Sequence, residues 1–258
     1  MAKGSQAEFV VLGSGSFSPA KAGAGTHRNP AGYALKLKDE VVLFDLGFGN
    51  LRQLARAGLD PDAVGTVFFT HRHPDHVGDL SALLFRWRYE GGPRKGKVRL
   101  YGPRGFKSFV ARLERAYHPW LKPRGWTMEV TELADRAVVK GEGWKAAARE
   151  VPHTTEALAY RFEAGDASVV YTGDTGWDAG LARFAADATL FAVEATLHDD
   201  ERMDGHLRVR EALDLGRASK AKTVLLTHLT ARSEKGLESR LADEPGFRAA
   251  EDLMRIPL

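Results

Sequence analysis

The chain has 258 residues, 43% of them hydrophobic and 28% charged, with a net charge of +3 and no cysteine. That composition is ordinary for a globular protein and long enough for one large domain or two small ones. It excludes disulfides, thiolate metal sites and cysteine nucleophiles, so any metal must be held by His, Asp and Glu.

No apolar run approaches the ~18 residues of a membrane span. Phe9–Leu12 is too short for a signal-peptide core, so the expectation is a cytoplasmic protein. Glu8–Leu12 reads as a first strand, and the Gly/Ser/Ala-rich segment from Gly13 to Pro30 as a long loop. Tyr33, Leu35 and Leu37 alternate with other residues and Val41–Phe44 follows a Lys38-Asp39 turn, which predicts a hairpin. Asn50–Ala57 has helical spacing and stops at Gly58. Val67–Phe69 is a short apolar run between Gly65 and Pro74, suited to a buried strand ending near Thr70.

Val77–Tyr89 then reads as a helix, Val98–Tyr101 as a strand and Phe106–Tyr117 as a helix started by Pro103. Trp126–Leu133 and Trp144–Val151 look extended. Ala159–Glu163 and Ser168–Thr172, joined at Gly165-Asp166, predict a second hairpin; like the first it ends near an aspartate, which allows two halves of similar plan although the sequence likeness between them is too faint to establish a duplication. Leu181–Ala185 is read as helix, Thr189–Val193 as strand, Leu207–Ala218 as helix, Thr223–Thr227 as strand and Phe247–Met254 as a final helix. Runs of strands interrupted by helices, with no low-complexity linker, predict a single α/β domain over residues 1–258, with two sheets and helices outside them.

Charge is distributed unevenly. Between Arg86 and Trp126, twelve Lys/Arg stand against Glu90 and Glu114, so this stretch carries +10 and the remainder −7. Eight aromatic residues are interleaved with the cations: Trp87, Tyr89, Tyr101, Phe106, Phe109, Tyr117, Trp120 and Trp126. One reading is a surface for a polyanion such as RNA; the other is a solvated helix face whose aromatics belong to the core. An aromatic surface near Trp120 and Trp126 is also a candidate homodimer interface.

The chemistry concentrates in Thr70-His71-Arg72-His73-Pro74-Asp75-His76. Four ligand-type side chains lie within six residues, and imidazole nitrogen with carboxylate oxygen suits zinc and neighbouring divalent ions. In extended chain His71 and His73 point the same way and can grip one ion. Beyond Pro74, Asp75 and His76 face elsewhere and can serve a second. His153, Asp174 and His228 each follow a predicted strand, where loops on a rigid scaffold carry function. Such a cluster suits hydrolysis by metal-activated water, with Asp75 orienting that water or accepting its proton. The nitrogen and oxygen donors accept zinc, manganese or iron.

H-x-H-x-D-H resembles the signature of the metallo-β-lactamase superfamily. Further segments are similar to its tRNase Z branch: V-L-G-S-G-S-F-S-P, H-R-N-P-A-G-Y, Tyr171-Thr172-Gly173-Asp174-Thr175, Val193-Glu194-Ala195-Thr196, Gly205-His206 and the run from Leu226 to Arg232. The resemblance implies a four-layer αββα sandwich. It also supports a ligand set in which His71, His73 and His153 hold one ion, Asp75, His76 and His228 hold a second, and Asp174 bridges them. It implies that Glu194 and His206 act as a proton-donating pair. Two departures stand out: Val193 replaces a family histidine, and only 20 residues separate His153 from Asp174, too few for the long tRNA-gripping arm of bacterial tRNase Z. The leading expectation is therefore a dinuclear, zinc-dependent phosphodiesterase for a small or short substrate. A lactone or aryl sulfate ester hydrolase on the same metals is the alternative, and a nucleic-acid-binding protein without activity the third reading.

Overall fold

The structure is a computed structural model, and residues 7–16, 27–38, 40–90 and 95–258 are described. Residues 17–26 of the expected Gly-rich loop, Asp39 of the first turn and Arg94 of the basic stretch lie outside them.

The first half of the chain forms strands β1 (Glu8–Gly13), β2 (Gly32–Lys36) and β3 (Val41–Leu46), helix α1 (Asn50–Arg56) and strand β4 (Val64–Phe68). Helices α2 (Pro74–Val77) and α3 (Leu80–Tyr89), strand β5 (Lys97–Gly102), helix α4 (Phe106–Ala116) and strand β6 (Thr127–Glu132) follow. The second half supplies β7 (Val138–Gly141), β8 (Trp144–Glu150), β9 (Leu158–Ala164), β10 (Ala167–Tyr171), α5 (Gly180–Phe184), β11 (Leu190–Glu194), α6 (Val209–Ser219), β12 (Thr223–Thr227), α7 (Leu237–Leu241), β13 (Phe247–Ala249) and β14 (Arg255–Pro257).

These strands build two seven-stranded sheets, ordered β14-β1-β2-β3-β4-β5-β6 and β13-β12-β11-β10-β9-β8-β7. Each sheet has the same plan. In the first, pairing is antiparallel from β14 to β3 and parallel from β3 to β6. In the second it is antiparallel from β7 to β10 and parallel from β10 to β13. The likeness of plan that the two hairpins allow is present in this topology.

The strand sequences explain the layering. On β3, Val42 and Phe44 enter the core between the sheets, whereas Val41 and Leu43 face the helices. That is the period-two alternation of a strand buried on both faces. Asp45, at φ +54°, breaks the pleat, and Leu46 joins the helix-facing side. Between the sheets, Phe9, Tyr33, Phe44 and Phe68 of the first meet Trp144, Tyr160, Phe162 and Tyr171 of the second. Leu54, Leu83, Leu84 and Val110 of α1, α3 and α4 cover the outer face of the first sheet. Leu181, Leu213 and Leu237 of α5, α6 and α7 cover the second. The result is the expected αββα sandwich.

Two expectations fail. The helix expected over Phe247–Met254 is replaced: Phe247–Ala249 pairs in parallel with β12, and the chain turns to add β14 beside β1. The helix expected as one piece over Val77–Tyr89 is broken at Gly78-Asp79, where the Asp79 carboxylate accepts the Leu51 N–H at 2.8 Å to start α1. Among the described residues, no helix is long and apolar enough to cross a membrane.

Candidate metal centre

In both sheets the functional side chains follow the carboxyl ends of strands, with β3 and β10 marking where antiparallel pairing gives way to parallel. In open α/β sheets such a change of direction leaves a crevice at the strand ends. After β4 the chain bends at Thr70, and His73 is extended (φ −63°, ψ 145°), because the residue before a proline disfavours the helical region. Pro74 then opens α2, with its fixed φ suited to a first helical position. His71 and His73 therefore lie with rings 4.5 Å apart, and Asp75 and His76 turn to a second position.

The seven candidate ligands converge. His71, His73, His153 and Asp174 form one group, and Asp75, His76 and His228 a second. Asp174 stands between them: its Oδ2 lies 3.8 Å from Nε2 of both His71 and His153, and its Oδ1 lies 3.3 Å from His76 Nε2 and 3.4 Å from His228 Nε2. His73 Nδ1 lies 3.2 Å from His153 Nε2. His228 Nε2 is also 3.6 Å from Asp75 Oδ2.

Hydrogen bonds on the far side of each ring decide which nitrogen is available. The Thr70 hydroxyl donates to Asp45 Oδ2 at 2.8 Å, so at 3.0 Å it can only accept from His71 Nδ1. The Thr196 hydroxyl donates to Glu194 Oε2 at 2.6 Å and likewise accepts from His228 Nδ1 at 2.8 Å. His76 Nδ1 donates to Asp45 and His153 Nδ1 to the Gly205 carbonyl, both at 2.8 Å. With the proton on Nδ1, each Nε2 presents a lone pair to the centre. Buried Nε2 of His71, His76 and His228, together with Asp174 Oδ1, have no hydrogen-bond partner among the described residues. Buried acceptors are normally satisfied, so a set of them aimed at one place fits a divalent cation.

The electrostatics agree for Asp174 and His71. Burial opposes ionisation of Asp174, yet His228 and His76 hold its pKa well below the usual carboxylate range. Burial pushes His71 well below the ordinary histidine value, and neighbouring His76 adds to that. His76 differs: burial opposes its charge, but Asp174 and Asp45 raise its pKa well above normal, so a cation has to displace the Nε2 proton.

Glu194 is fully buried at the end of β11. Its Oε1 accepts from the Thr175 N–H and from His206 Nδ1, both at 2.9 Å, and Oε2 also accepts from the backbone of Thr196 and Leu207. His206 lies edge-on to His153, with centroids 4.9 Å apart, and stacks on His228 at 5.9 Å, so it touches both groups. Burial disfavours its charged form, but the Glu194 hydrogen bond and charge override this and raise its pKa to about 9. Gly205 beside it has φ +81°, and a Cβ there would meet His153 Nδ1 at 2.9 Å; only glycine fits this approach.

Sequence reasoning gave no role to Asp45, Thr70 or Thr196, which fix the histidine tautomers. The one available signal was an aspartate closing each hairpin, at Asp45 and Asp174. Val193, at the departure from the family motif, packs in the apolar core outside the second sheet.

The aromatics of the basic stretch divide between core and surface. Trp87, Tyr101, Phe106 and Trp126 are buried, and Trp126 packs on Trp87, which removes it from the expected interface; Tyr89, Tyr117 and Trp120 are exposed. Arg86 pairs with Asp62 and Glu90, and Lys97 with Glu129. Arg104 adjoins the site, where its charge acts on Glu156, the partner of Arg72. Tyr89 ends α3, about 15 Å along its axis from the start near the metal loop.

A family model described as the beta-lactamase superfamily domain matches residues 40–229. Ribonuclease Z of Pyrococcus horikoshii is 27% identical over 87% of each chain. Ribonuclease Z of Bacillus subtilis is 25% identical over 96% of this chain and 98% of its own. That alignment runs to 311 positions, more than this chain has residues, so the relative carries segments this chain lacks. Among solved structures, the metallo-beta-lactamase fold protein YhfI from Bacillus subtilis superposes with a TM-score of 0.78 at 21% identity, covering 97% of this chain and 98% of its own. Human tRNase Z, short form, gives 0.76 at 22%, covering 96% and 98%. The matched span carries all seven converging side chains, and with it the chain belongs to the beta-lactamase superfamily.

Proposed function

We propose that this chain is a dinuclear hydrolase of phosphodiester bonds, acting on a small or short substrate with two divalent ions, zinc foremost. The observation that carries this reading is Asp174, whose two oxygens face two separate groups of donors while the buried nitrogens opposite them lack any other partner among the described residues. In this reading His71, His73, His153 and Asp174 Oδ2 hold one ion, and Asp75, His76, His228 and Asp174 Oδ1 hold the other. Five imidazoles among seven ligands suit zinc, although manganese and iron accept the same donors. Cations there supply Lewis acidity, which eases ionisation of water and balances charge on a phosphoryl group.

The chain's own residues carry the protons. Asp75 orients the attacking water and accepts a proton as the new P–O bond forms. His206, charged and held through Nδ1 by Glu194, donates its Nε2 proton to the leaving oxygen as the old P–O bond breaks. An alkoxide needs that proton; a phenolate with a low pKa does not. The ribonuclease Z relatives make RNA the first phosphodiester class to test, with Arg104 beside the site as the useful part of the stretch 86–126. A short substrate is favoured because β9, β10 and their tight turn take up most of the interval from His153 to Asp174. Hydrolysis of bis-p-nitrophenyl phosphate should be strong in the native chain and collapse in Asp75→Ala. Turnover that survives this substitution unchanged would sink the reading.

A further inference from the structure

A cleft of about 200 Å³ is lined in part by His206. Trp177, Leu197, Met203 and Gly205 are among its lining residues. The lining is tied to the His153 loop at two points: Gly176 N–H donates to the Pro152 carbonyl at 2.7 Å, and the Gly205 carbonyl accepts from His153 Nδ1. The cleft is therefore fixed relative to the candidate metal ligands.

Its lining is unusual for a surface. Trp177 is 50% exposed and Met203 61% exposed, so neither serves the core. A large aromatic ring left half in water beside a candidate proton donor offers a stacking face. Charge narrows the occupant. Arg202, Arg208 and His206 are matched in number by Glu201, Asp204 and Glu211. Arg208 pairs with Glu211, and Arg202 donates to the carbonyl of Glu201 at 2.8 Å. The lining has no net positive charge to favour a second phosphate over an uncharged group. A flat, uncharged ring with hydrogen-bonding edges suits both the aromatic and the polar parts of the lining. The volume lies below the ~300–1,000 Å³ of pockets for drug-sized ligands, which favours a single ring system.

We infer that this cleft seats the nucleobase of the leaving nucleoside, stacked on Trp177, and so selects phosphodiesters whose leaving group carries a base. The assignment rests on the reaction proposed above, because His206 is the group that would protonate the leaving oxygen and the cleft is continuous with it.

The test pairs binding with turnover on the metal-loaded protein. Calorimetric titration with adenosine should weaken roughly tenfold in Trp177→Ala, in line with loss of one stacked base, while inorganic phosphate binds as before. Trp177→Phe should restore most of the adenosine affinity. With a dinucleoside monophosphate, Trp177→Ala should raise KM and leave kcat nearly unchanged. The same substitution should have no effect on the analogue lacking the leaving-side base. Native hydrolysis with no response to Trp177→Ala, or an equal response with and without the leaving-side base, overturns the cleft and leaves the reaction standing. Trp177-dependent adenosine binding with no hydrolysis of any phosphodiester overturns the reaction instead.

Discussion

Asp45 provides the sharpest perturbation, because its four hydrogen bonds cannot survive conversion to an amide. Its Oδ1 accepts the Thr70 backbone N–H, and Oδ2 accepts His76 Nδ1, the Thr70 hydroxyl and the Tyr171 hydroxyl, all at 2.8 Å. In Asp45→Asn the side-chain NH2 must replace one oxygen. On the Oδ1 side it meets the Thr70 N–H, which cannot turn away. On the Oδ2 side the two hydroxyls can rotate to accept, but His76 Nδ1–H cannot while Nε2 serves a metal. Either orientation leaves one buried donor unsatisfied, at about 1–3 kcal/mol, or roughly 5- to 150-fold in an equilibrium. If His76 takes the loss, it appears in metal affinity, within the ~10- to 100-fold known for outer partners of ligating histidines. If Thr70 takes it, it appears as lower stability of the metal-free fold. Competition with a chromophoric chelator measures the first, and denaturant unfolding of the metal-free protein the second. An Asp45→Asn protein unchanged in both would refute the argument that this carboxylate orders the centre.

Asp174→Ala removes the shared carboxylate and should lose both ions, whereas His228→Ala should weaken mainly one; elemental analysis distinguishes them, and two full equivalents in the Asp174 variant would contradict the bridge. His206→Ala should slow a diester with an alkoxide leaving group by roughly 10²–10⁴-fold and barely affect bis-p-nitrophenyl phosphate; equal losses on both would remove His206 as proton donor. Arg255 pulls the Glu8 carboxyl below its usual value through a hydrogen bond that ties β14 to β1 at 2.6 Å, against a small opposing effect of burial. Because the folded pKa is the lower one, this stabilisation is present above the ordinary Glu value of 4.5 and is lost as pH falls through the folded value. Glu8→Gln should thus lower Tm slightly at pH 7, in keeping with ~0–1 kcal/mol for a largely exposed pair, and the gap should narrow as pH falls below 4.5; a gap that widens in acid would contradict the linkage.

The sequence revealed the centre more fully than its supports, for a physical reason. His71, His73, Asp75 and His76 are contiguous, and their spacing carries both the extended grip and the bend at Pro74. Asp45 is one carboxylate after a strand; its partners Thr70, His76 and Tyr171 are 25, 31 and 126 residues away, so no local pattern marks it. The layers were legible because Val41–Phe44 and Val67–Phe69 are apolar on both faces. The end of the chain was misread because Phe247, Ala250 and Met254 follow helical spacing. There, pairing with β12 overrides a weak local preference. The edge strand β7 was missed for a related reason: Val138 and Val139 are too few to signal a strand without β8 beside them.

The central claim is that two cations on this ligand set hydrolyse a phosphodiester. The most direct measurement strips the protein of metal and follows hydrolysis of bis-p-nitrophenyl phosphate while zinc is returned in known increments. The account predicts no turnover in the stripped protein and activity that rises to a plateau at two equivalents per chain. Turnover indifferent to stripping would contradict it, as would a fully reloaded protein that cleaves lactones or aryl sulfates and leaves the phosphodiester intact.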